Sequence, residues 1–411
     1  MSELVIFVRD AITWPLERLG VGARSRTLTP SRESGGRLYA LDLARFIAMV
    51  LMMQGHVLDA LVNRHELVIT EFPWNIWHLI RGFTAPTFLM VSGAVHAFAT
   101  KRNEQGLVRD DVIGKRIRWA LTIMGIGYFM MFPSGNVWEL PFVQEPTWRA
   151  FFAVNILQLT GATILIFVFT MAGTRSVQHM GRRALYVMTS ILVLTPFMRS
   201  IGESSALPLW LNGYLNDSTG SLFPIFPYSA YLFAGLAIGS FLHGIDAEKR
   251  DAALKRYGWR VGGALLAMSI IANLILDQLG VPFAELDGSM SLTVFFRRAG
   301  VVLMFFSFAV VLLNRTWSLR EWWAMFGTKS LYIYIIHLVL LFGTQLWVGP
   351  GRSQFRTMSL LDGALYAVGI VASTLVVAWL FDWYSRQRWA NNIRSKMSIV
   401  VAVALAFILF V

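Results

Sequence analysis

Four ionisable side chains, Asp42, Arg45, His56 and Asp59, stand within the otherwise apolar stretch LDLARFIAMVLMMQGHVLDA, residues 41–60. Histidine exchanges a proton near neutral pH and can serve as a general base or carry a transferred group itself. Arginine stays charged and binds phosphates well. Arg45 and His56 are 11 residues apart, which on a helix is about three turns and about 16 Å along the axis. They therefore share one helix face at two different depths. Asp42, one turn before Arg45, is placed to neutralise it. Asp59, one turn after His56, is placed to fix its tautomer and stabilise its charged form. The ordinary structural reading is an Asp42–Arg45 ion pair at a membrane interface and a hydrogen-bonded core histidine.

Further polar groups recur in apolar surroundings. His78 and Arg81, one turn apart, precede APTFLMVSGA and are expected at the height of His56. Asn155 and Gln158 in AVNILQLTG can orient a polar substrate, donate to an oxyanion, or bond between helices. Tyr332, Tyr334 and His337 lie in SLYIYIIHLVLL; His337 either faces the same cavity or is a satisfied core histidine. Lys115, Arg116 and Arg118 form a basic cluster, either a phosphate clamp or only the charge that cytoplasmic loops accumulate.

These groups require a scaffold, and composition says which. Of the 411 residues, 56% are hydrophobic and 15% charged, and the mean hydropathy is +0.56. Too little polar surface is available for a soluble enzyme of this length. The chain reads as an all-α, polytopic membrane helix bundle. Apolar runs predict about ten or eleven spans, near 38–59, 77–99, 117–134, 150–171, 184–199, 223–243, 260–280, 293–313, 328–348, 361–384 and 397–411. The fifth and last are short, and the fifth contains Pro196. Assigning alternate loops to opposite sides puts 27 of the 36 Lys and Arg on one side and only seven on the other, with Arg45 and Arg81 inside spans. The crowded side is predicted to be cytoplasmic, with the amino terminus there and the carboxyl terminus outside. The net charge of +12 thus reports orientation and not nucleic-acid binding. Residues 1–37 form a segment separate from the transmembrane domain 38–411. It carries six Arg, two Pro and no long apolar run, so it is not a signal peptide. Leu4–Val8, Ile12, Trp14, Leu16 and Leu19 fit an amphipathic stretch on the cytoplasmic membrane surface.

Cysteine is absent, which excludes disulfides, thiolate catalysis and Cys-ligated metal. The seven histidines show no HExxH or HxxxH pairing, so no metal is expected. There is no glycine-rich phosphate loop and no G-x-S-x-G elbow.

Arg45, ten residues, then His56 resembles the R-x10-H motif in an early span of the acyltransferase-3 membrane proteins. PTFLMVSG at 86–93 resembles their P-x-F-x-x-x-S-G segment, and Lys115 to Arg118 their cytoplasmic R-x-x-R motif with Lys first. NILQLTG at 155–161 and LFPIFPYSAYLFAGLAIG at 222–239 are similar to stretches of the heparan-alpha-glucosaminide N-acetyltransferase-like branch and its bacterial relatives. FGTKSLYIYIIHLVLL resembles their late G-x-x-S-L-x-x-Y-x-x-H helix. The motifs run in order from about 37 to 345. The chain departs from the pattern where many bacterial relatives carry a histidine just before the second-span proline; Phe83 and Thr84 stand there.

The resemblance implies an acyl-CoA-dependent acyltransferase of a bacterial inner (plasma) membrane. Such proteins pass an acyl group, often acetyl, from cytoplasmic acyl-CoA to a sugar, glycolipid or other polar acceptor on the outer side. His56 would be catalytic, with Asp59 orienting it. Arg45, Asp42, Lys115 and Arg118 would serve the acyl-CoA, the only cofactor-like molecule expected. His78, Arg81, Asn155, Gln158 and His337 would stand nearby. Partners would be acyl-CoA, the acceptor and the bilayer, with a homodimer left open. A transporter of an anionic solute or lipid is the alternative, since buried Arg and His suit it too.

Overall fold

The computed structural model describes residues 37–203, 207–281, 288–343 and 347–385. The amino-terminal amphipathic segment and the span expected at 397–411 lie outside the described residues. Among those described, the chain is α-helical, with three isolated bridges and no strand. Seven helices are long and apolar enough to cross a membrane, and two bent pairs bring the candidate spans to nine. The protein is an all-α polytopic bundle.

In chain order, α1 is Tyr39–Leu61, α2 Trp74–Gly82, α3 Thr84–Ala99, α4 Asp110–Met130, α5 Glu145–Phe152, α6 Ile156–Met171, α7 Val177–Glu203 and α8 Leu209–Leu215. There follow α9 Ile225–His243, α10 Arg250–Gln278, α11 Leu292–Arg315, α12 Arg320–Thr328, α13 Ser330–Phe342, α14 Pro350–Ser353 and α15 Leu360–Ser385. The span expected at 117–134 is α4. Lys115, Arg116 and Arg118 occupy its early turns, so its apolar part, from Trp119, is shorter than the roughly 20 residues a crossing needs. The short fifth span is instead one long helix, α7, continuous through Pro196.

The breaks have local causes. Pro86 cannot extend a helix through residue 82, because its ring would strike that carbonyl. The chain therefore resets at Phe83, and Pro86 falls in the first turn of α3, where it is tolerated. Thr84 and Thr87 hydroxyls donate to the Arg81 and Phe83 carbonyls at the join. The expected fourth span is the pair α5 and α6, bent by 48°. Its break at Val154 is held by Ser221, which accepts from Val154 N, and by Phe223 N, which donates to Val154 O. The expected ninth span is α12 and α13, bent by 66°. At that bend Lys329 is buried, with Nζ 3.1 Å from Asp382 of α15.

Packing follows small residues. A Cβ on Gly93 of α3 would strike the Leu232 carbonyl of α9, and one on Gly235 of α9 would strike Met90 O. These two backbones meet as closely as helices in lipid can. α9 also packs on α7, and α1 contacts α3, α11, α12, α13 and α15. α1 is therefore central. By contrast, α10 exposes Met268, Ile271 and Leu274, and α15 exposes Leu361, Leu365 and Val368. Such apolar outer faces belong against lipid.

Candidate active site

α1, α3, α4, α6 and α13 enclose a cavity of about 300 Å³. α1 supplies Arg45, Met52 and His56; α3 supplies Thr84, Phe88, Ser92 and His96, each one turn from the last. Apolar groups such as Ile123, Leu157, Ile164 and Leu331 line most of the rest. Arg45 and His56 thus meet one cavity at two depths, as their spacing requires.

The partner of His56 is His337. Its Nε2 lies 3.0 Å from His56 Nδ1, and its Nδ1 lies 3.1 Å from the Ile333 carbonyl. A carbonyl only accepts, so His337 Nδ1 carries its proton and His337 Nε2 is an acceptor. His56 Nδ1 must then donate, and the nitrogen left with a lone pair is His56 Nε2. This places a neutral base on the cavity wall. His337 itself is fully buried, and Tyr334, one turn earlier, lines the cavity with its ring edge-on to His337 at 5.3 Å.

Asp59 does not orient His56. Its carboxylate accepts from Arg81 Nη2 at 2.5 Å, and Arg81 lies over the Trp77 ring at 4.6 Å. A full guanidinium charge from α2 outcompetes a neutral imidazole for that carboxylate. Arg81 also presses against Gly55, so it is beside His56, though it does not line the cavity. His78 is exposed on α2 and does not line the cavity.

Asp42 accepts from Arg37 Nε at 2.9 Å, and its charge also acts on Arg45 one turn later. Arg45 Nη1 instead donates to the Gly327 carbonyl at 3.3 Å. That carbonyl is at the carboxyl end of α12, where the helix dipole favours a cation. Arg45 Nε has no hydrogen-bond partner.

Within the basic cluster, Lys115 pairs with Asp111 at 2.8 Å and Arg118 is exposed. The hydrogen bond from Lys115, with Arg109 assisting, holds the Asp111 carboxyl below its ordinary range. Arg116 is the buried member, donating to Thr100 Oγ1 at 2.9 Å. Asn155 stands just before α6, Gln158 packs against Gly127, and neither lines the cavity. Gln158 is fully buried with both amide atoms unpartnered.

His96 is the site residue that spacing did not single out. The available signal was an ionisable group twelve residues after Thr84, on the same α3 stripe. Among the described residues, no group of three His, Cys, Asp or Glu could hold a metal.

Comparison with curated proteins found no match. A family model, Acyl_transf_3, described as an acyltransferase domain, matches residues 38–383. That match covers every element enclosing the cavity, and the chain belongs to acyltransferase family 3.

Proposed function

We propose that the protein takes an acyl group, acetyl by family resemblance, from acyl-CoA entering at the Arg45 end of the cavity. It passes the group to a hydroxyl or amine of a sugar or other polar acceptor entering at the His56 end. The membrane would be a bacterial inner membrane, with the Arg45 end cytoplasmic. Membership of an acyltransferase family supports the reaction class. The observation that carries the rest is the chain from Ile333 O through His337 to His56, which leaves His56 Nε2 as a base.

His56 Nε2 accepts the acceptor's proton as its oxygen or nitrogen attacks the thioester carbonyl. The imidazolium that forms keeps its Nδ1–H on His337. Collapse of the tetrahedral adduct breaks the C–S bond and releases CoA thiolate, which takes the proton from His56. Tyr334 is placed to donate to the oxyanion. Arg45 and the buried Arg116 give the donor's phosphates a positive entrance.

The test is CoA-thiol release by protein reconstituted in liposomes, given acetyl-CoA and sugar acceptors. Acceptor-dependent release supports the reading. No release, together with flux of an anionic solute, would establish the transporter instead.

A further inference from the structure

The end of the cavity near Arg45 holds a second histidine. His96 lines the cavity from the last turn of α3, and its Nε2 is shielded from solvent without a hydrogen-bond partner. Arg45 Nε on α1 is in the same condition. Both side chains line the same cavity, Arg45 from the first turns of α1 and His96 from the last turn of α3. Buried donors that lack acceptors are rare in native proteins, and each calls for a partner that the fold itself does not supply.

The surroundings hold His96 in place. Its ring stacks on Phe167 at 4.9 Å, and the Arg116 guanidinium lies 4.8 Å from the same ring. Thr100 Oγ1 donates to the His96 carbonyl at 2.6 Å and accepts from Arg116. Among the described residues, no carboxylate lines the cavity. Arg45 Nε–H can only donate, so its missing partner is an acceptor brought by a ligand, and His96 in its Nε2–H tautomer offers that ligand a second donor. The walls beyond, Phe88, Leu89 and Leu157, favour a slender and largely uncharged ligand segment.

We propose that His96, in its Nε2–H tautomer, and Arg45 Nε–H form a subsite for amide carbonyl oxygens of the pantetheine arm. This rests on acyl-CoA being the donor. The arm's amides lie between nucleotide and thioester. Gripping them at the Arg45 end directs the thioester along the cavity toward His56. His96 is thus a donor-binding residue and takes no part in proton transfer.

The experiment is calorimetric titration of the full-length protein in nanodiscs with CoA and with adenosine 3′,5′-bisphosphate, which lacks the arm. His96→Leu should weaken CoA binding about tenfold, as expected for one lost hydrogen bond. His96→Gln keeps an N–H donor and should bind within about threefold of wild type. Bisphosphate binding should be unchanged in both. His96→Phe, nearer in ring size, serves as the second apolar variant, with the thermal midpoint of each checked. Unchanged CoA affinity in a folded apolar variant, equal loss for both ligands, or no rescue by Gln would overturn the subsite. Wild-type protein that binds neither ligand would instead overturn the acyl-CoA reading beneath it.

Discussion

His337→Leu removes the acceptor for His56 Nδ1 while leaving every cavity-lining side chain in place, because His337 is fully buried behind the wall. The 3.0 Å bond has two roles. In the resting state it selects the tautomer with a free Nε2, an effect of about 1 kcal/mol for a neutral hydrogen bond. In the transition state it becomes charge-assisted as His56 turns cationic, adding about 1.5 kcal/mol. Together these give about 2.5 kcal/mol, or roughly a hundredfold in kcat. A full carboxylate in the analogous serine-protease position accounts for about 10⁴-fold, so a neutral histidine should fall short of that. The assay is CoA-thiol release at saturating donor and acceptor. Both KM values should stay within about threefold, since uniform binding is untouched. His337→Gln, whose amide oxygen can accept from Nδ1, should recover part of the loss. A folded His337→Leu protein with wild-type kcat would refute the relay.

Other substitutions separate the groups. Tyr334→Phe should lower kcat by about a hundredfold without changing donor KM, as for loss of one oxyanion donor; unchanged kcat removes Tyr334 from the chemistry. Asp59→Asn should leave kcat within about threefold and cost at most about 1 kcal/mol of stability, because its pair with Arg81 is partly exposed; a large kcat loss would return Asp59 to the site. Gly93→Ala should destabilise by about 2 kcal/mol or more, since a backbone carbonyl of α9 cannot move aside; the thermal midpoint reads this. Lys329→Met should lower the thermal midpoint by removing the buried cation 3.1 Å from Asp382, and Lys329→Met with Asp382→Leu should recover part of the loss.

Apolar runs were enough to read the bundle, because lipid forces hydropathy onto whole helices. The same runs concealed the bends at Val154 and Lys329, which depend on Ser221 and Asp382 far along the chain. Arg45 and His56 were legible from periodicity on a single helix. The partner of His56 was not, because sequence proximity favoured Asp59 while the fold brought His337 from 281 residues away. Asp42 was legible as a counter-charge to Arg45, but its hydrogen bond goes to Arg37, which the local rule does not name. Within KRIR, spacing emphasised Lys115 and Arg118, whereas the helix face turns Arg116 inward. His96 escaped notice because its significance lies in what α1 and α6 place around it.

The most direct measurement is CoA release from acetyl-CoA by reconstituted wild-type and His56→Ala proteins with one sugar acceptor. With His56 as the base, release should be acceptor-dependent in wild type and fall to background in a folded, CoA-binding His56→Ala protein. Acceptor-dependent release that persists in His56→Ala would contradict that role.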